Sequence, residues 1–534
     1  MSFMNRFYGA MLVCMLAGCN GAPGTDAKVS NSQAGSEPRV SVSDGDLQGR
    51  TLQSGVTAFL GVPYAASTGG ENRWRPPQPV SAWQGVRDAT YFGPDCLQLP
   101  PPPMKAPWGP EFLTDNDMSE DCLSLNIWMP STRSDNKVPV LVWIHGGAFI
   151  GGAGGIDIYH GDKLAEQGII VVTINYRLGV FGFAGHPELA TESDFEGQYG
   201  LLDQVAALKW VQKNIEAFGG DPDNVTVAGQ SAGADSVHAL MAYPEAEKLF
   251  AKAIAQSGSG MGITHPDRAK AESLGVALQQ VLNADNLAAM RALPGKEILE
   301  SVLNIPVPMA LMQFRPVRDG NFSKQRSNKN IPLLTGFTGN ENSYFLPEWH
   351  VETEDDLRGL IKANMGDDTV TDAMVKLYLQ EADTPKNAAL QFLRDRALMS
   401  LLNWASQYHD AANILAYQFD YAPPGPPEGF GSFHSSEIPY VFGQLDAGDR
   451  QYSDADKALS ELLQNHWLAF IKSGKGKVIA GDDWPALASG QLLVVSKEGN
   501  ADAEPVLSED KIQLFEKALA ASGTLGMFSA EGFH

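Results

Sequence analysis

Basic residues are scarce in this chain. Lys and Arg number 39 against 63 Asp and Glu, a formal net charge of −24. A surface of that sign repels phosphate backbones and anionic lipid, which argues against nucleic-acid binding and a basic membrane-docking patch. Such a charge serves solubility, and it can also steer cationic substrates; charge alone does not separate the two roles. Cysteine is scarcer still, at four in 534 residues. The chain has no tight cysteine cluster, no His-Glu-x-x-His pair and no phosphate-cradling glycine loop, so it implies no metal and no cofactor. It also has no internal repeat of fixed period. What remains is 43% hydrophobic and 19% charged, the composition of an ordinary globular protein.

The one distinctive apolar run at the N-terminus is short. Phe7 to Leu16 follows the single charged residue Arg6, too short for a spanning helix and right for a secretory signal. Its end, Leu16-Ala17-Gly18-Cys19, resembles the lipobox of bacterial lipoproteins, in which the cysteine is acylated. Asn20 after it favours the outer membrane in a two-membrane cell; cleavage at an ordinary small-residue site is the alternative. Residues 19–39 are rich in Gly, Ser, Asn and Pro and read as a flexible tether. The expectation is an exported protein, anchored to a membrane only through Cys19, or else periplasmic or secreted. Cleavage removes Cys14 and acylation uses Cys19, leaving Cys96 and Cys122 as an even pair in an oxidising compartment. They are expected to form a disulfide.

From Val138 onward apolar runs alternate with helical patterns. Val138–Ile144, Gly168–Ile174, Asn224–Ala228, Ile331–Gly336 and Ile414–Phe419 read as strands. Gly200–Phe218 and Gly233–Tyr243 read as helices. Continuous apolar strands separated by helices imply an α/β fold, a large mostly parallel sheet covered on both faces. No long linker interrupts residues 40–534, which read as one domain with long insertions.

Gly229-Gln230-Ser231-Ala232-Gly233 sits between a strand and a helix, the context of a nucleophile elbow. Ser231 is therefore the candidate nucleophile. Serine needs a base, and the base an orienting acid, with chain order Ser, acid, His in such a sheet. The base must lie well after Ser231, and beyond the middle of the chain lie His350, His409, His434, His466 and His534. His434 lies in a loop and is favoured over His409 and His466, which fall in helical patterns. Glu341 follows the strand Ile331–Gly336 and is a candidate acid among many carboxylates. The strand ending at Ile144 runs into His145-Gly146-Gly147, whose backbone amides with that of Ala232 could bind an oxyanion.

These residues resemble the type-B carboxylesterase family of the α/β-hydrolase fold, which includes cholinesterases and bacterial para-nitrobenzyl esterases. Glu120-Asp-Cys-Leu-Ser-Leu-Asn-Ile-Trp-Met-Pro130 is similar to one family signature, and Phe218 to Gly233 to the other. Asn175-Tyr-Arg-Leu-Gly179 and Gln256-Ser-Gly258 match as well, and the likeness spans nearly the whole chain from Val40. The resemblance implies a serine carboxylesterase with Ser231, Glu341 and His434 as triad, an acyl-enzyme intermediate, a Cys96–Cys122 disulfide and a small-molecule ester as substrate. It fixes neither the natural ester nor an oligomeric state.

Departures from the family matter. Gln230 stands where cholinesterases carry Glu, and Trp108 and Phe112 do not clearly reproduce their choline-binding Trp, so a choline ester is not expected. Tyr344 could still face a cation, beside Phe345. Thr264, Ala310 and Met312 fall near large aromatics of the cholinesterase acyl pocket, which suggests room for longer or aromatic acyl groups. Two rival readings stay open: an inactive adhesion module, opposed by the intact triad and oxyanion loop, and an amidase or peptidase sharing the acyl chemistry.

Overall fold

The computed structural model describes residues 37–100, 107–131, 136–258, 265–317, 322, 331–343, 351–426, 430–475 and 484–522. The signal region with Cys14 and Cys19, and with them Thr264, Tyr344, Phe345, His350 and His534, lie outside the described residues. The first described strand, Arg39–Val42, begins one residue before the expected domain start.

Eleven strands form the central sheet. In chain order they are β1 (Arg50–Thr51), β2 (Thr57–Pro63), β3 (Ser124–Met129), β4 (Val138–Ile144) and β5 (Ile170–Ile174). There follow β6 (Gly220–Gln230), β7 (Lys252–Gln256), β8 (Leu333–Thr338), β9 (Ile414–Phe419), β10 (Gln491–Val495) and β11 (Ala501–Pro505). Their spatial order is β11-β10-β9-β8-β7-β6-β4-β5-β3-β2-β1. The seven strands from β10 to β5 are parallel, and the edges are antiparallel. The mostly parallel sheet read from the sequence is thus present.

The apolar runs follow from burial on both faces. In β4, Val140, Val142 and Ile144 enter one apolar cluster, while Leu141 and Trp143 enter the other. Side chains alternate across a strand, so a strand covered on both sides cannot afford polar positions on either. Helix α1 (Tyr199–Asn214) with its 3-10 extension Ile215–Phe218 fills the helix expected over 200–218. Helix α2 (Ala232–Ala242) follows β6 directly. Helix α3 (Pro385–Tyr408) ends at His409, whose Nε2 lies 3.0 Å from the Ile331 carbonyl. His466 is fully buried in helix α4 (Asp454–Ser473), so both histidines are packed scaffold groups.

Two family-like motifs supply partners to ion pairs, one buried and one partly buried. Arg177 binds Asp203 through Nε and Nη2 at 2.8 and 2.7 Å, both side chains almost wholly buried. Arg73 forks onto both oxygens of Glu120 at 2.6 Å. Such bidentate pairs fix geometry as well as charge.

Candidate active site

The parallel strands stop in register at one edge. Gly229 pairs with Ile144, Gln230 with Gln256, Gln256 with Gly336, and Thr338 with Phe419. Their carboxyl ends therefore open together, which is where open α/β sheets bind ligands. Ser231 follows β6, Ser257 follows β7, Glu341 comes three residues after β8, and His145 follows β4. The loop after β9 carries His434.

The turn at Ser231 is tight. Ser231 takes φ 55° and ψ −121°, outside the comfortable regions for an L-residue. A Cβ on Gly233 would stand 2.1 Å from the Ile144 carbonyl oxygen, and one on Gly229 would stand 2.5 Å from the Gly233 carbonyl. Only glycine fits at these two places. Ala232 begins α2, so its N–H is among the helix-end donors without an intrahelical partner.

The oxyanion-loop candidates lie against the nucleophile. A Cβ on Gly146 would meet Ser231 Cβ at 3.2 Å. Gly147, Ala148 and Phe149 have φ of 111°, 55° and 64°, three successive left-handed residues. His145 braces this loop from beneath. Its ring stacks on Tyr176 at 4.5 Å, its Nδ1 lies 2.8 Å from the Gly146 carbonyl, and the Tyr176 hydroxyl donates to its own carbonyl. Burial pushes the His145 imidazole down to about 4, so it stays neutral.

His434 and Glu341 are brought together across 93 residues of sequence, Nδ1 against Oε2. A bridge between Asn340 and Phe433 aligns their two loops. Glu341 is buried, and its other oxygen accepts from the Ser257 hydroxyl at 2.5 Å and the Thr338 amide at 2.8 Å. Burial alone would raise this carboxyl, but His434 and these hydrogen bonds hold it below its ordinary value. Burial likewise pulls His434 down, and the Glu341 charge overrides it, leaving the imidazole above its ordinary value. His434 Nε2 lies 3.0 Å from the side-chain nitrogen of Gln230, the residue just before Ser231.

Two groups escaped notice in the sequence. Ser257, at φ 55°, secures Glu341; the Gln256-Ser-Gly258 match was the available signal. Glu437 is buried below the site, taking hydrogen bonds from Gln256 at 3.0 Å and the Tyr417 hydroxyl at 3.2 Å. Burial and the neighbouring Glu341 charge push it up to about 7. It lies three residues after His434.

The other expected residues are placed as follows. Cys96 and Cys122 form a disulfide. Ala310 opens a four-residue helix, Ala310–Gln313, and is buried, whereas Met312 is half-buried. Trp108 and Phe112 lie beside the His434 loop rather than free of it. Asn224, of the glycosylation-like Asn-Val-Thr triplet, accepts from Lys252 Nζ and sits in β6 with a fully buried Thr226. Among the described residues no group of His, Cys, Asp and Glu could hold a metal, and no helix is long and apolar enough to cross a membrane.

Comparison with known proteins agrees with this geometry. The sequence profile of the carboxylesterase family matches residues 36–515. The para-nitrobenzyl esterase of Bacillus subtilis (strain 168) is 36% identical over 501 residues, covering 89% of this chain and 98% of that protein. The fumonisin B1 esterase of Sphingopyxis macrogoltabida is 35% identical over 474 residues, covering 81% and 82%. Acetylcholinesterase of Bungarus fasciatus is 33% identical over 499 residues, covering 85% and 82%. A solved structure of PNB esterase superposes with a TM-score of 0.72 at 33% identity, over 90% of this chain and 99% of that one.

Proposed function

The chain belongs to the carboxylesterase family and is a carboxylic-ester hydrolase, and from that premise we propose a mechanism through Ser231, His434 and Glu341. The single observation that carries it is the His434–Glu341 pair at the sheet edge that also bears the strained Ser231. In this reading His434 Nε2 takes the Ser231 proton as Oγ attacks the ester carbonyl. Glu341 fixes the Nδ1–H tautomer and stabilises the imidazolium. The amides of Gly146, Gly147 and Ala232 receive the developing oxyanion, each typically worth about 3–4 kcal/mol in the transition state. The imidazolium then protonates the leaving alcohol, and water cleaves the acyl-enzyme by the reverse sequence.

Gln230 beside His434 contributes no charge where cholinesterases carry a carboxylate, so neutral esters are the favoured substrates over choline esters. Thr264, Ala310 and Met312, none of them aromatic, fall near large aromatics of the cholinesterase acyl pocket, which supports a roomier acyl pocket. The N-terminal sequence supports export and anchoring through Cys19. The test compares kcat/KM for p-nitrophenyl acetate, butyrate, octanoate and benzoate, with matched amides, in wild type and Ser231→Ala. Turnover lost in the variant is expected, with esters far ahead of amides. Turnover surviving in Ser231→Ala would overturn the mechanism, and a strong acetyl preference would overturn the roomy pocket.

A further inference from the structure

We propose that the Cys96–Cys122 loop is a brace for the catalytic base, with Trp108 and Arg450 as positioning residues for His434. This rests on the mechanism above, in which His434 carries every proton.

The backbone at His434 needs support. Ser435, the next residue, has φ 78°, a left-handed conformation that a residue with a Cβ adopts at a cost. Such strain persists only where the surroundings over-determine it. The Trp108 indole N–H donates to the His434 carbonyl at 3.0 Å, across 326 residues of sequence. The same ring meets Phe433 edge-on at 6.4 Å, and Phe112 meets Phe433 from another side at 6.2 Å. Phe433 is almost fully buried between them.

Arg450 closes the brace. Its Nε binds Glu111 at 2.6 Å, its Nη1 binds the Pro424 carbonyl at 3.0 Å, and its Nη2 binds the Pro107 carbonyl at 2.5 Å. All three nitrogens are thus used, each on a loop: Pro107 and Glu111 on the disulfide loop, Pro424 on the segment after β9. The guanidinium also stands over Phe433 at 5.5 Å and Phe112 at 6.0 Å. Glu111 is buried and the Arg450 side chain is only 10% exposed. A fully paired guanidinium this little exposed tolerates little displacement, because moving it strands the Glu111 charge. One face of Phe433 and one of Phe112 are therefore occupied by the enzyme's own cation. The loop thus holds the backbone of the base, while Glu341 holds its ring.

The full chain would be compared with Trp108→Phe, which removes one N–H and keeps a ring, and with Arg450→Met, which keeps the stem. kcat and KM would be measured for p-nitrophenyl and ethyl butyrate, with Ser231→Ala alongside and thermal melting to verify folding. Both variants should lose kcat by about ten- to a hundredfold with KM little changed, the scale of a small misplacement of a reacting group. The loss should be larger for the ethyl ester, because p-nitrophenolate leaves without a proton and ethoxide does not. A wild-type kcat on both esters in folded Trp108→Phe would overturn the brace, even if the melting temperature falls. An equal loss on the two esters, or a rise in KM alone, would overturn it too. If Arg450→Met does not fold, Trp108→Phe decides. Failure of the underlying mechanism shows separately, as residual turnover by Ser231→Ala.

Discussion

Glu341 illustrates how a single residue sets the working pH. It is buried, yet two hydrogen-bonding partners and the facing imidazole keep it ionised. Its charge in turn raises His434 above the ordinary imidazole value against the pull of burial. In the proposed mechanism only neutral His434 can accept the Ser231 proton. Activity is therefore expected to be absent at low pH and to rise as His434 deprotonates. A kcat/KM profile should place that acid limb above about 6.5, the unperturbed histidine value. Replacing Glu341 by Gln removes the charge that opposes burial, so the limb should move to lower pH. The same change frees the imidazole to take the wrong tautomer, and kcat should fall by about four orders of magnitude, as in other serine triads. A limb that stays in place in Glu341→Gln would show that another group titrates.

At the scale of elements, the elbow depends on how closely β6, α2 and β4 approach. Helix α2 starts one residue after the strand ends, with no loop between them, so its first turn packs on the end of β4. Gly233 is the contact point, and an added methyl would lie 2.1 Å from backbone oxygen, which cannot rotate away. Gly233→Ala should therefore destabilise the fold by about 3 kcal/mol or more and abolish activity. Thermal melting with and without the substitution measures it; an unchanged melting temperature would mean that the elbow can open. Gly258 has the same role one strand over, where a Cβ would stand 2.3 Å from that of Ala234. This explains why the Gln-Ser-Gly motif ends in glycine.

At the scale of the whole molecule, the disulfide ties together the two ends of the segment between Cys96 and Cys122. It closes 26 positions of sequence, for which chain entropy predicts about 3–4 kcal/mol of stabilisation. Replacing both Cys96 and Cys122 by Ser should lower stability by that order in a denaturant melt. Because the same loop carries Trp108 and Glu111, the double variant should also lose kcat under conditions where it remains folded. A melt shifted as expected with kcat untouched would confine the disulfide to stability.

The sequence by itself determined the sheet, because strands covered on both faces must be apolar throughout, and Val138–Ile144 and Ile414–Phe419 emerge with the very bounds read from that pattern. It also determined the tight turn at Ser231, since Gly-x-Ser-x-Gly between strand and helix has few other uses. The choice of His434 among five later histidines was favoured by its loop position but rested on family resemblance. Composition could not bring it to Glu341 across 93 residues. Local patterns ran out where side chains from remote segments meet. The sequence around each residue does not show that Ser257 reaches Glu341, that Glu437 reaches Gln256, or that Arg450 reaches Glu111 across 339 residues. Only the tertiary structure decided those contacts, because register between strands and the closure of long loops place them, and both are collective properties of the packed chain.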